Sequence, residues 1–125
     1  MQTVGYIDRE KFRPIAEDIT TDEVILTDER VQHIQDRHPG DYERYFIYLS
    51  EIIEDPDYIL QANKPKSALL LKRFARDEDG YKLILRLKTA GDPEGFKNSI
   101  ISFQKVEFKR YIRYTNSEKV LYRRE

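Results

Sequence analysis

Tyr81-Lys82-Leu83-Ile84-Leu85-Arg86-Leu87-Lys88 alternates bulky and polar side chains almost without a break. Successive side chains of a strand point to opposite faces, so Tyr81, Leu83, Leu85 and Leu87 share one face and Lys82, Ile84, Arg86 and Lys88 the other. One face is built to pack and the other is basic. Turn signals bracket the run, Asp77-Glu-Asp-Gly80 before it and Ala90-Gly-Asp-Pro93 after it. The same period of two predicts strands over Tyr58 to Gln61, Ser67 to Phe74, Tyr81 to Thr89 and Ser99 to Val106. Glu107 to Arg113 reads as a bend or short helix, and Lys119-Val-Leu-Tyr122 as a last edge strand.

Upstream of Asp55-Pro56 the period is helical. Tyr42, Tyr45, Phe46, Leu49, Ile52 and Ile53 recur at the spacing of one helix face, predicting a helix from about Asp41 to Glu54. Before it, Thr27 or Asp28 can cap a helix whose first turn holds Asp28 and Glu29 and which Pro39-Gly40 ends. His38 precedes that proline and is pushed toward extended geometry, off the track of Val31 and Ile34. Val24-Ile-Leu26 is a short apolar run, and residues 1–23 read as an irregular arm with at most one turn of helix. The expectation is an α+β fold in which N-terminal helices pack on one face of a four- to five-stranded antiparallel sheet, with residues 1–23 an arm and 24–125 a single domain.

The chain has 125 residues, 39% of them hydrophobic, with nine Tyr and six Phe, enough for one modest core. It has no cysteine, which excludes disulfides, thiolate zinc sites and cysteine nucleophiles. Ala68-Leu-Leu-Leu71, its longest apolar run, is far too short to span a membrane, and the first residues lack the plan of a signal peptide; a cytoplasmic location is the default expectation. The formal charge of −1 hides two opposite halves: residues 1–63 carry 6 Lys/Arg against 15 Asp/Glu, residues 64–125 carry 16 against 8. The basic half is a candidate surface for a polyanion such as RNA, unless the halves neutralise each other in the fold.

Both histidines lie in His33-Ile-Gln-Asp-Arg-His38-Pro39-Gly40. A helical zinc pair wants i, i+4 spacing, whereas i, i+5 separates the two by about 140° on a regular helix. No third ligand has motif spacing, so no metal or other cofactor is expected. Arg30, His33 and Arg37 share a helix face, and its bland reading is a solvated stripe paired with neighbouring acids. Arg86 and Lys88 join it from the basic sheet face, and of Lys72 and Arg73 at least one points out of the sheet. Asn98 and Ser99 add an amide and a hydroxyl at the start of a strand that also carries Ser102. Strand Lys and Arg also serve to protect sheet edges. For a nuclease without metal, a histidine removes the ribose 2′-OH proton, a second group protonates the leaving oxygen, and cations stabilise the dianionic transition state.

Three blocks, Thr27–Pro39 with its His-(x)4-His-Pro, Asn98-Ser-Ile-Ile-Ser102 and Lys119-Val-Leu-Tyr122, resemble the phage-borne branch of the barnase, EndoU, colicin E5/D and RelE-like nucleases over about residues 20–125. The resemblance implies a small metal-independent RNase of toxin or effector type, with a helix bearing the histidines ahead of a four- or five-stranded antiparallel sheet. It makes His33 and His38 the acid and base, and Lys72 and Arg86 the phosphate contacts. It places Ser102 where threonine is more usual and adds Tyr122 to the substrate-binding set. RNA is the implied partner, with a cognate antitoxin or immunity protein a further one. The chain departs from the family's usual strong basicity, its pI being about 6.2. Two other functions compete: a non-catalytic phage or mobile-element accessory module that binds nucleic acid or a protein, and a regulator such as an antitoxin or immunity protein, which the acidic half favours.

Overall fold

The alternating run is the middle strand of the sheet. The computed structural model describes residues 1–75 and 77–124, except the side chain of Tyr45. In chain order the elements are β1 (Gln2–Tyr6), α1 (Arg9–Phe12), β2 (Glu23–Leu26), α2 (Asp28–Arg37), α3 (Asp41–Tyr45), a 3-10 turn (Phe46–Tyr48), α4 (Leu49–Glu54), β3 (Tyr58–Gln61), β4 (Ser67–Arg73), β5 (Gly80–Arg86), β6 (Asn98–Val106), α5 (Phe108–Thr115) and β7 (Val120–Arg123). One seven-stranded sheet has the order β1-β2-β6-β5-β4-β3-β7.

This corrects the expected four to five antiparallel strands. The fold is α+β, but strands outnumber helices and the sheet is mixed, because β2 runs parallel to β6 through Val24↔Asn98 and Ile25↔Ser99. The side chain of Asn98 makes that pairing. Its Nδ2 donates to the carbonyls of Thr21 and Glu23 at 2.8 and 3.0 Å, and its Oδ1 accepts from the Lys88 amide at 2.7 Å. Residues 1–23, read as an irregular arm, supply an edge strand, β1, antiparallel to β2, as well as the single helical turn of α1. The helix expected over 41–54 is divided into α3 and α4 by the 3-10 turn. Leu49, Ile52 and Ile53 are buried in the core and Tyr42 and Tyr48 pack against it, while Phe46 and Ile47 stay exposed.

Burial follows the alternation. Tyr81, Leu83 and Leu85 of β5 lie in the main core with Ala68 and Leu70 of β4, Ile100 and Phe103 of β6, Ile34 of α2 and Ile52 and Ile53 of α4. The opposite face carries a smaller cluster, Leu60, Leu69, Leu71, Val106 and Tyr111, that docks α5. Helices thus cover both faces, fully on one side and at one end on the other. Gly80 permits the second packing: a Cβ there would overlap Cδ2 of the Tyr111 ring and lie 2.6 Å from Cε2.

After two paired residues β2 leaves β6, and the chain turns into α2, which packs against β6. Thr27 caps α2, its Oγ1 accepting from the Arg30 amide at 3.2 Å. His38 closes it with φ −135°, the extended geometry a following proline imposes, and its amide donates to the Ile34 carbonyl at 2.8 Å. Among the described residues no helix is long and apolar enough to cross a membrane.

Candidate functional site

The sheet face that α5 leaves open is set by register. Lys82, Ile84 and Arg86 of β5 stand opposite Leu71, Leu69 and Ser67 of β4 and opposite Gln104, Ser102 and Ser99 of β6. Between Ile84↔Ser102 and Leu85↔Ile100 strand β6 bulges, and the extra residue, Ile101, joins Ile84 on the floor of a groove. This groove, of about 660 Å³, is walled by residues 62–67 and by Arg30 of α2. A second groove of about 370 Å³ adjoins it, sharing Ala62, Asn63 and Ile84 and continuing past Lys82, Arg110, Tyr114 and Lys119. Together they are lined by seven cations, Arg30, Lys64, Lys66, Lys82, Arg86, Arg110 and Lys119, and among the described residues by no carboxylate.

The cations are held differently. Arg86 makes a two-pronged ion pair with Asp92, at 2.9 and 3.0 Å, and also donates to the Leu87 carbonyl. Asp92 further accepts from the amide and hydroxyl of Thr89 at 2.9 and 3.2 Å, and Lys66 Nζ lies 3.9 Å away. The Arg86 guanidinium, with the Thr89 amide, holds the Asp92 carboxyl far below the usual carboxylate range. Arg86 therefore shapes the groove wall with its charge largely spent. Lys82 instead points at a phenol: its Nζ donates to Tyr114 Oη at 3.3 Å, and Arg110 donates to the same oxygen at 3.2 Å. Burial raises the Tyr114 hydroxyl, but the charges and hydrogen bonds of Lys82 and Arg110 outweigh it and hold the group below its ordinary value.

His38, at the end of α2, feels the charge of Lys82. Burial lowers its pKa first; Asp41 opposes that, while the charges of Lys82, His33 and Arg37 reinforce it. An imidazole kept neutral near pH 7 beside a lysine can accept a proton.

Of the residues singled out from sequence, Arg30 and Arg86 line the groove, and Ser99 and Ser102 fall on its face by register. His33, Arg37 and His38 are within electrostatic reach of one another at the α2 C-terminus. Others lie elsewhere. Lys72, expected to reach the basic surface, pairs with Tyr81 on the packed face and is only 5% exposed. Its Nζ donates to the Asp55 carbonyl at 2.5 Å and lies 3.4 Å from the Asp55 carboxylate and 3.8 Å from that of Asp57. Asn98 is fully buried in its β2–β6 bridge. Tyr122 pairs with Ile59 and packs against the main core. Arg73 stacks over Phe108 at the end covered by α5 (4.6 Å), and Lys88 lies just past the end of β5, its amide bonded to Asn98.

Sequence reading passed over Lys64, Lys66, Arg110, Tyr114 and Lys119, and noted Lys82 only as part of the basic face. Arg110 and Tyr114 stand at i, i+4, so a helix assigned there would have placed them on one face.

Among the described residues, no group of three or more Asp, Glu or His side chains is arranged to hold a metal ion. No curated protein and no solved structure matches the chain. The sequence pattern of one family does, over residues 1–123: phage-Barnase-EndoU-ColicinE5/D-RelE-like nuclease 2. A groove lined by cations suits the phosphodiester backbone a nuclease must hold, and with residues 1–123 matched the chain belongs to this phage-associated nuclease family.

Proposed function

We propose that the chain is an endoribonuclease that cleaves RNA by 2′-OH transesterification without a metal ion, on the open face of the sheet. The observation that carries this reading is the pair of adjoining grooves lined by seven cations and, among the described residues, by no carboxylate, with the charge of Lys82 reaching His38. Carboxylates are what a Mg²⁺-dependent nuclease uses to hold its ions. The ribose 2′-OH is a nucleophile that RNA carries and DNA lacks, and fixed cations can stabilise its attack on the adjacent phosphate. His38, kept neutral by burial, takes the 2′-OH proton; the O2′–P bond forms, the P–O5′ bond breaks, and the leaving oxygen acquires a proton. Lys82 stabilises the charge that develops on the phosphoryl oxygens, and Arg30, Lys64 and Lys66 track the flanking phosphates. His33 supports His38 through its charge and position on α2.

The test is incubation of the purified protein with a defined RNA, and with the same strand 2′-deoxy at the cleaved position, in EDTA. Expected are products ending in 2′,3′-cyclic phosphate from the first and no cut at that position in the second, with His38→Ala slower by about 10²-fold or more. Products bearing 5′-phosphate and 3′-hydroxyl, or a strict need for Mg²⁺, would overturn the mechanism. The same cationic groove also suits a non-catalytic accessory module, and RNA retained but never cut would favour that reading.

A further inference from the structure

We propose that Tyr114 is the group that protonates the leaving 5′-oxygen, delivering its phenolic proton into the groove it lines with Lys82 and Arg110; this rests on the ribonuclease reading above. Tyr114 Oη accepts from Lys82 Nζ at 3.3 Å and from Arg110 at 3.2 Å, which occupies both of its lone pairs. Its own O–H must then donate to something else, and among the described residues it meets no acceptor. The proton is therefore presented to whatever occupies the groove that Tyr114 lines with Lys82 and Arg110.

Two donors on a phenol also decide what happens when it gives up that proton. The phenolate formed would lie between an ammonium and a guanidinium, each also about 5.6 Å from the ring centre, so the developing charge is met by fixed cations. Those cations already outweigh the burial that would otherwise raise the hydroxyl, making it a stronger acid than an ordinary tyrosine. Lys82 links this acid to the base, its charge acting on His38 and its ammonium hydrogen-bonding Tyr114. A phosphate seated on Lys82 would thus have the Tyr114 hydroxyl within reach as the donor to its leaving oxygen. The balance is complete: the 2′-OH proton passes to His38, the Tyr114 proton passes to O5′, and water-mediated exchange later returns the enzyme to its starting state.

The experiment compares an RNA with a normal P–O5′ linkage and one whose bridging 5′-oxygen at the cleaved bond is replaced by sulfur, a thiolate that departs without protonation. Tyr114→Phe removes the proton and keeps the ring. Expected is a loss of about 10²-fold or more on the oxygen substrate and near wild-type rate on the sulfur substrate, whereas His38→Ala remains slow on both. Arg110→Ala should show a smaller loss with the same rescue. Equal losses of Tyr114→Phe on both substrates, or no loss on either, would overturn the assignment while leaving the ribonuclease reading intact. Failure of the wild-type protein to cut either substrate would overturn both.

Discussion

Asn98 was attractive as a substrate contact in sequence, and its buried position makes a different prediction. Asn98→Ala removes three hydrogen bonds, to the carbonyls of Thr21 and Glu23 and from the amide of Lys88, at a fully buried site. At about 1 kcal/mol net for each bond, the loss is about 3 kcal/mol. With an unfolding entropy near 2.1 cal/mol/K per residue, a chain of this length should melt about 10–12 °C lower. The parallel β2–β6 pairing is only two residues long, so little else compensates locally. Thermal and urea unfolding followed by far-UV circular dichroism, with RNA affinity measured well below the transition, separates the two roles. A bridge residue lowers the melting temperature and leaves the affinity of the folded fraction near wild type. If Asn98→Ala instead melts within about 2 °C of wild type and binds RNA several-fold more weakly, the reasoning from burial is wrong.

Gly80→Ala should push α5 off the sheet: overlap with the Tyr111 ring at an otherwise well-packed position costs about 1–3 kcal/mol, and proteolysis should find sites in residues 108–115 that are protected in the wild type. Lys72→Met loses the bonds to Asp55 and should destabilise by about 1–3 kcal/mol, yet leave the salt dependence of RNA binding unchanged; a flatter dependence would return Lys72 to the site. Lys82→Ala should shrink that dependence, the slope of log K against log[salt] falling by roughly 0.7 for single-stranded RNA. His38 titrates below its unfolded value of 6.5, so as pH falls through 6.5 the unfolded chain takes up a proton before the folded one. Wild type should therefore lose more stability than His38→Gln between pH 7 and 5, and equal losses would show that His38 does not titrate as its surroundings dictate.

How far the sequence could be read depended on whether a residue's partners lay nearby in the chain. The alternation of β5 was legible because each side chain declares its own environment, Tyr58–Gln61 and the strand expected over Ser67 to Phe74 were legible as short apolar runs, and Thr27 was legible as a cap because its partner is three residues on. β1 carries no such declaration: Gln2, Thr3 and Tyr6 are exposed, and the strand is held by backbone pairing with β2 and by α4 passing close over Gly5. Val24, Ile25 and Leu26 are buried in succession, as in a strand covered on both sides, and a three-residue apolar run does not announce a parallel partner 74 residues away. Lys72 and Arg73 could not be told apart, since adjacent strand residues point oppositely and only the pairing with Tyr81 fixes which is inward. In the site, the sequence pointed to the α2 histidines and the basic face of β5, while the partner that defines Lys82 comes from Tyr114, 32 residues on. The spending of Arg86 on Asp92 hung on the conformation of a turn.

The bulge at Ile101 has a consequence for how such a groove can change over time. Ile100 faces the core and Ser102 the groove, so the two flanking residues already alternate as neighbours in an uninterrupted strand would. Ile101 is thus a supernumerary residue: excising it would leave the inward and outward assignments on both sides in phase, joining Ile100↔Leu85 directly to Ser102↔Ile84. Most single-residue deletions in a central strand exchange the two faces and ruin the core. This one would straighten β6, relax the extra local twist that a bulge brings, and lower the groove floor by one isoleucine. The fold can thus accept a change of length at the floor of the groove, so groove depth can be tuned by insertion and deletion as well as by substitution.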